Sequence, residues 1–239
     1  MPVMMFNGCS YVHNIHLHNE TSDWYNQNWP ALVSAQLGYD YKNISMSGAS
    51  NTRIFRTSVD AILNKECDTL IIGWTNKERE EIPHHTGDYV RLMPGSTGLQ
   101  HTTDAPNYHD AWYKHHHNEW LSLYQLVRYI VVIQQLCDHN NIKLLMFNSI
   151  WGNSITSYHK DLKDNYYIKT NRYGEHHQEL DAFEKLYKQI DFDRWVLPGN
   201  QTLAQIAKDM NLDFDSTGHL KLSAQRPVAD EFVKRLNTV

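Results

Sequence analysis

Three short, mostly apolar runs most constrain how this chain can fold: Val3-Met4-Met5-Phe6, Thr69-Leu70-Ile71-Ile72-Gly73-Trp74 and Ile142-Lys143-Leu144-Leu145-Met146-Phe147. A strand with one wet face alternates apolar and polar residues, whereas a strand covered on both faces reads as a nearly continuous hydrophobic run. Between the runs, apolar residues recur at helical spacing. Trp29, Leu32, Val33 and Leu37 form one such set, and Ile54, Phe55, Val59, Ile62 and Leu63 a second. A long helix is expected from about Trp112 to His139, with Trp120, Leu123, Leu126, Val127, Ile130, Ile133 and Cys137 as its core stripe. A weaker strand is read at Lys42-Asn43-Ile44-Ser45-Met46. Buried strands alternating with amphipathic helices predict an α/β protein with a parallel sheet and right-handed crossovers.

Residues 82–111 break this rhythm. They are rich in Pro, Gly, His, Thr and Asp, and predict an irregular insertion lying over the end of the third strand. Residues 152–178 also read as irregular and carry Tyr158, Tyr166, Tyr167 and Tyr173. Helices are expected near 178–190, 201–210 and from Ser223 onward. With no internal repeat, linker or second apolar core, residues 1–239 are expected to form one domain.

Composition narrows the function classes. The formal net charge is −5 with no long basic run, which argues against nucleic acid as a partner, since neutralising phosphates needs clustered Lys and Arg. Cys9, Cys67 and Cys137 are odd in number and far apart, which fits a reducing compartment and no disulfide framework. No apolar stretch reaches membrane-spanning length, and the amino terminus lacks the pattern of a secretory signal; a cytoplasmic protein is expected. Histidine is abundant, with His84-His85, His115-His116-His117 and His176-His177 in polar segments, but ligand-spaced His or Cys pairs are lacking. No metal is expected.

The first run ends at Gly8-Cys9-Ser10-Tyr11, which would put Ser10 at the carboxyl edge of the sheet, where open α/β sheets bind ligands. A serine there can act as a nucleophile when a base lies within reach. Near the other end of the chain, Asp215-Ser216-Thr217-Gly218-His219 places an acid and an imidazole together ahead of the last helix.

In these blocks the chain resembles the SGNH (GDSL-like) hydrolases, and most closely the short SGNH-like proteins common in bacteriophages. Members carry Gly-x-Ser after the first strand, a glycine after the second, Gly-x-Asn after the third and Asp-x-x-His near the end. The matching segments here are Gly8-Cys9-Ser10, Gly48 within Ser47-Gly48-Ala49-Ser50-Asn51, Gly73-Trp74-Thr75-Asn76, and Asp215 to His219. The resemblance implies a three-layer α/β/α sandwich with a flavodoxin-like parallel sheet, and no cofactor. Ser10 would be the nucleophile, His219 its base and Asp215 the acid that orients the ring. The oxyanion hole would combine the Ser10 and Gly48 N–H groups with a side-chain donor from the third block. Each such donor is worth roughly 3–4 kcal/mol.

Two departures stand out. Thr75 occupies the family's Asn position and Asn76 follows it, so either could be the third donor. The acid precedes the base by four residues instead of three, Ser216 takes the usual acid position, and Asp213 competes with Asp215. The implied reaction is hydrolysis of a small-molecule or carbohydrate acyl ester, O-acetyl groups above all, in the cytoplasm, which for a phage-encoded protein is the host's, or in the virion. The main alternative is a catalytically inactive binding or virion-associated protein on the same fold. A third reading, a metal-dependent phosphoesterase, would draw on the many histidines.

Overall fold

A computed structural model describes residues 1–83, 89–92, 112–115, 117–150, 155–160, 177–197 and 201–238. Its centre is a four-stranded parallel sheet, with β1 (Val3–Asn7), β2 (Asp40–Asn43), β3 (Thr69–Trp74) and β6 (Lys143–Asn148) in the order β2-β1-β3-β6. The three apolar runs became β1, β3 and β6, and every residue of β3 is buried. Beyond β6, the parallel bridges Met146–Trp195 and Asn148–Thr202 continue the sheet by single contacts.

Helices cover both faces. On one side, α3 (Trp29–Leu37) packs on the last helix, α8 (Leu222–Leu236). Trp29 and Phe232, with ring centroids 4.5 Å apart, both meet Phe147 of the sheet. On the other side lie α4 (Asn51–Leu63) and α5 (Glu119–Asn140), joined by the stacked rings of Phe55 and Tyr129. The expected α/β/α sandwich is the observed fold. Among the described residues, no helix is long and apolar enough to cross a membrane.

Helix ends follow capping chemistry, and that explains one difference from the expected boundaries. The long helix begins at Glu119 and not near Trp112, because Asn118 is extended and its side chain accepts the Leu121 N–H at 3.1 Å. Residues 112–115 form a separate helical turn. The second strand is also shifted, to Asp40–Asn43. Asn43 Oδ1 takes the Ser45 N–H at 3.0 Å, and past Asn43 the strand loosens to two backbone bonds, Ile44 N–H to Phe6 O at 2.9 Å and Met46 N–H to Gly8 O at 3.1 Å.

The expected irregular insertion starts with ordered structure. Strands β4 (Glu80–Pro83) and β5 (Tyr89–Leu92) pair antiparallel, although residues from 82 onward read as structureless in the sequence. Side-chain contacts fasten this strand pair to the main body, among them a Ser122 hydroxyl bond to Glu80 at 3.4 Å. Arg56 pairs with the buried Glu81 at 3.0 Å and lies 4.2 Å over the Tyr89 ring, and Arg91 donates to the Ser47 carbonyl at 2.6 Å. Residues 84–88 and 93–111 lie outside the described residues. So do 161–176, with Tyr166, Tyr167 and Tyr173. Residues 155–160 are helical, and α6 (His177–Tyr187) and α7 (Leu203–Asp209) follow close to their expected places.

Candidate active site

The end of β1 is held by its last residue. Asn7, fully buried, donates its amide to Ile54 O, Thr57 Oγ1 and Ser58 Oγ of α4, and its Oδ1 accepts the Gly8 N–H at 2.9 Å. The chain then passes β3 at close range. A Cβ on Gly8 would meet Val12 Cγ2 at 2.5 Å and the Gly73 carbonyl at 3.0 Å, and one on Gly73 would meet Phe147 Cζ at 2.7 Å. Only glycine allows two backbones to approach in this way. Ser10 is consequently the first residue of the short helix α1 (Ser10–His13), at the carboxyl edge of the sheet and 8% exposed.

His219 arrives from the far end of the chain on a tight hairpin. Phe214 and Leu220 bridge antiparallel, and Asp215 N–H donates to the His219 carbonyl at 2.8 Å. Gly218, at φ +82°, supplies the left-handed residue that this turn requires. Two side chains from the segment after Ser10 then clamp the carbonyls flanking His219. Tyr11 Oη donates to Gly218 O at 2.7 Å, and His16 Nε2–H donates to Leu220 O at 2.8 Å. The His219 ring lies 5.5 Å from the Tyr11 ring and 4.8 Å from the His16 ring, centroid to centroid. The segment that begins at Ser10 and the His219 imidazole are therefore locked together. No hydrogen bond joins Ser10 Oγ to His219 among the described residues, and such bonds are commonly loose before substrate binds.

The acid reaches the imidazole indirectly. Asp215 Oδ1 accepts the Thr217 N–H at 2.8 Å, the Thr217 hydroxyl at 2.7 Å and the His219 backbone N–H at 2.9 Å. Thr217 Oγ1 in turn lies 2.7 Å from His219 Nδ1. A hydroxyl has one proton, and an ionised carboxylate can only accept. With that proton on the Asp215 bond, Nδ1–H donates to Thr217 and the Nε2 lone pair is left free. Asp213 is engaged elsewhere, accepting the Ser223 hydroxyl at 3.0 Å.

Electrostatics favour the same protonation state. Burial opposes ionisation of Asp215, yet the bonds from His219 and Thr217 hold its carboxyl below the usual value. Burial, with the His16 and Arg79 charges, also holds His219 below the ordinary imidazole value against the pull of Asp215, so it is a neutral base at pH 7.

The remaining candidates also lie at this edge. Gly48, at φ +74°, sits in the loop after β2, where Ser47 N–H donates to His13 Nδ1 at 3.2 Å. Thr75 follows β3, and its N–H is bound by Asn51 Oδ1 at 2.9 Å. Its hydroxyl is buried and has no partner among the described residues. Asn76 is instead used by its own turn: its Oδ1 accepts the Glu78 N–H at 2.9 Å. Sequence reasoning missed Thr217, Tyr11 and His16. The hydroxyl spaced two residues from both Asp215 and His219 was the one available signal. Among the described residues, no group of three His, Cys, Asp or Glu side chains gathers to hold a metal ion.

This fold is that of the GDSL, or SGNH, lipolytic hydrolases. The chain superposes on TesA with a TM-score of 0.53 at 15% identity, covering 99% of this chain and 98% of that one. It superposes on the psychrotrophic esterase EstA from Pseudoalteromonas sp. with a TM-score of 0.52 at 13% identity, covering 100% and 98%. A protein classed as lipolytic and of the G-D-S-L family, from Desulfitobacterium hafniense DCB-2, gives 0.51 at 9% identity over 98% and 99%. No protein-family model and no curated protein matches the sequence.

Proposed function

We propose that this protein is a serine esterase that hydrolyses a short acyl ester on a polar small molecule or carbohydrate. The observation that carries the proposal is the chain Asp215–Thr217–His219, which fixes one imidazole tautomer in a loop clamped to the segment beginning at Ser10. His219 Nε2 takes the Ser10 proton as the hydroxyl attacks the ester carbonyl, then returns it to the leaving alcohol. Thr217 and Asp215 hold the ring and stabilise the imidazolium. The oxyanion is met by the Ser10 and Gly48 N–H groups and by Thr75, whose unpartnered hydroxyl suits the role better than the Asn76 amide committed to its turn. The likeness to EstA, an esterase with a structure inhibited by monoethylphosphonate, supports the reaction class. The three cysteines are free and buried, which suits a reducing cytoplasm, the host's for a phage-encoded protein.

The missing bond between Ser10 and His219 favours a second reading, an inactive binding or virion-associated protein on this fold. Assays with 4-nitrophenyl acetate, butyrate and octanoate separate the two. The esterase reading expects turnover that falls with acyl length and is lost in His219→Ala. Because His219 is held below the ordinary imidazole value, the acid limb of kcat/KM should lie below pH 6.5. Equal, residual rates in wild type and His219→Ala would favour the binding reading.

A further inference from the structure

The loop that carries Gly48 is a hydrogen-bonded turn whose central peptide can face either way. Ala49 N–H donates to Met46 O at 3.0 Å, Gly48 stands at φ +74° and Ser47 keeps a negative φ, which defines a type II turn over residues 46–49. Its type I counterpart keeps the same bond and rotates the Ser47–Gly48 peptide by roughly half a turn. Glycine accepts φ of either sign, so neither the turn's own bond nor its sequence fixes that peptide. The carbonyl and N–H of a trans peptide point in opposite directions. Whatever holds the Ser47 carbonyl therefore sets where the Gly48 N–H points.

That carbonyl is held from outside the loop. Arg91 of β5 donates Nη1–H to Ser47 O at 2.6 Å, a charge-assisted bond that also polarises the peptide and strengthens its N–H as a donor. Arg91 is placed by its strand. It stands opposite Glu81 in the β4–β5 register, and Arg56 of α4 grips both strands, pairing with Glu81 at 3.0 Å and lying 4.2 Å over the Tyr89 ring. The turn is also seated on the segment of the candidate nucleophile. Met46 N–H donates to Gly8 O at 3.1 Å and Ser47 N–H to His13 Nδ1 at 3.2 Å, and Gly8 and His13 lie on either side of Ser10 in the chain. Burial, with the Arg53 and His16 charges, keeps His13 below the ordinary imidazole value, so its Nδ1 can accept. The Gly48 N–H, turned away from Arg91, donates to no protein group among the described residues.

We infer that Arg91 is a positioning residue: by holding the Ser47 carbonyl it keeps the Gly48 N–H free and oriented for the oxyanion. This rests on the esterase reading for the oxyanion, but the hold on the peptide can be read without turnover. Arg91→Met keeps the length of the side chain and removes the donor. With 4-nitrophenyl acetate its kcat should fall roughly 10- to 10²-fold, less than for a donor removed outright, while KM stays near wild type. Arg91→Lys retains a charged donor and should recover most of the rate. In protein labelled at its glycine nitrogens, NMR reads the turn itself, since a type II turn brings Ser47 Hα close to the Gly48 N–H and a type I turn brings the Ser47 N–H. Wild type and Arg91→Lys should show the first contact, and Arg91→Met a mixture of the two. A turn that stays type II in Arg91→Met overturns the proposal, as does a changed turn with undiminished kcat. A wild-type turn found as type I overturns it without any variant. A wild type that hydrolyses no ester, with a turn that still depends on Arg91, would keep the hold on the peptide and remove the esterase reading.

Discussion

Thr217→Val is expected to slow ester turnover by between about 10² and 10⁴-fold, the range seen when an imidazole loses the group that sets its tautomer. Valine matches threonine in shape, and Thr217 is exposed, so the fold should be unaffected. What is lost is the acceptor for His219 Nδ1–H and the bridge to Asp215. Thr217→Ser keeps the hydroxyl and should restore most of the rate. Asp215→Asn should be milder than Thr217→Val, because the asparagine oxygen can still accept from the Thr217 hydroxyl and both N–H groups while the negative charge is lost. Asp213→Asn should be silent, its side chain being directed to Ser223. Measured with one ester, a silent Thr217→Val beside a crippled Asp215→Asn would mean that the carboxylate acts on the ring directly.

Ser10→Ala carries the largest expected effect, a loss of turnover on the order of 10⁴-fold or more. Its structural cost should be small. The local bond at this position uses the Ser10 carbonyl, which accepts the Asn14 N–H at 2.9 Å. Alanine keeps that carbonyl and the close fit of Gly8 against Gly73 two residues away. Thermal melting together with steady-state rates separates the two effects. A variant that melts far earlier than wild type would show that Ser10 serves the fold and not the chemistry.

Much of this was legible in the sequence because burial writes itself into local pattern. β1, β3 and β6 were readable since strands covered on both faces exclude polar residues over four to six positions. The placement of Ser10, Gly48 and Thr75 at one edge was readable since each lies in the segment that leaves a strand, and a parallel sheet brings all such ends together. The hairpin Glu80–Leu92 was not, because its four-residue strands are fixed by Arg56 and Arg91, residues remote from it or within a segment without periodicity. The relay through Thr217 escaped for a different reason. Spacing tells which residues are near in sequence, whereas a 2.7 Å hydroxyl bridge depends on how the 214–220 hairpin turns. The clamps from Tyr11 and His16 span 207 and 204 residues, and one chain's pattern carries no trace of such pairs.

The assignment of Ser10 as nucleophile and His219 as its base is tested most directly by a fluorophosphonate, which bonds only to an activated hydroxyl. Intact-mass measurement should show the folded protein gaining a single adduct, mapped by peptide to Ser10. The adduct should be absent from Ser10→Ala and form far more slowly on His219→Ala. A folded wild-type protein that gains no adduct, or gains it at another residue, would contradict the assignment.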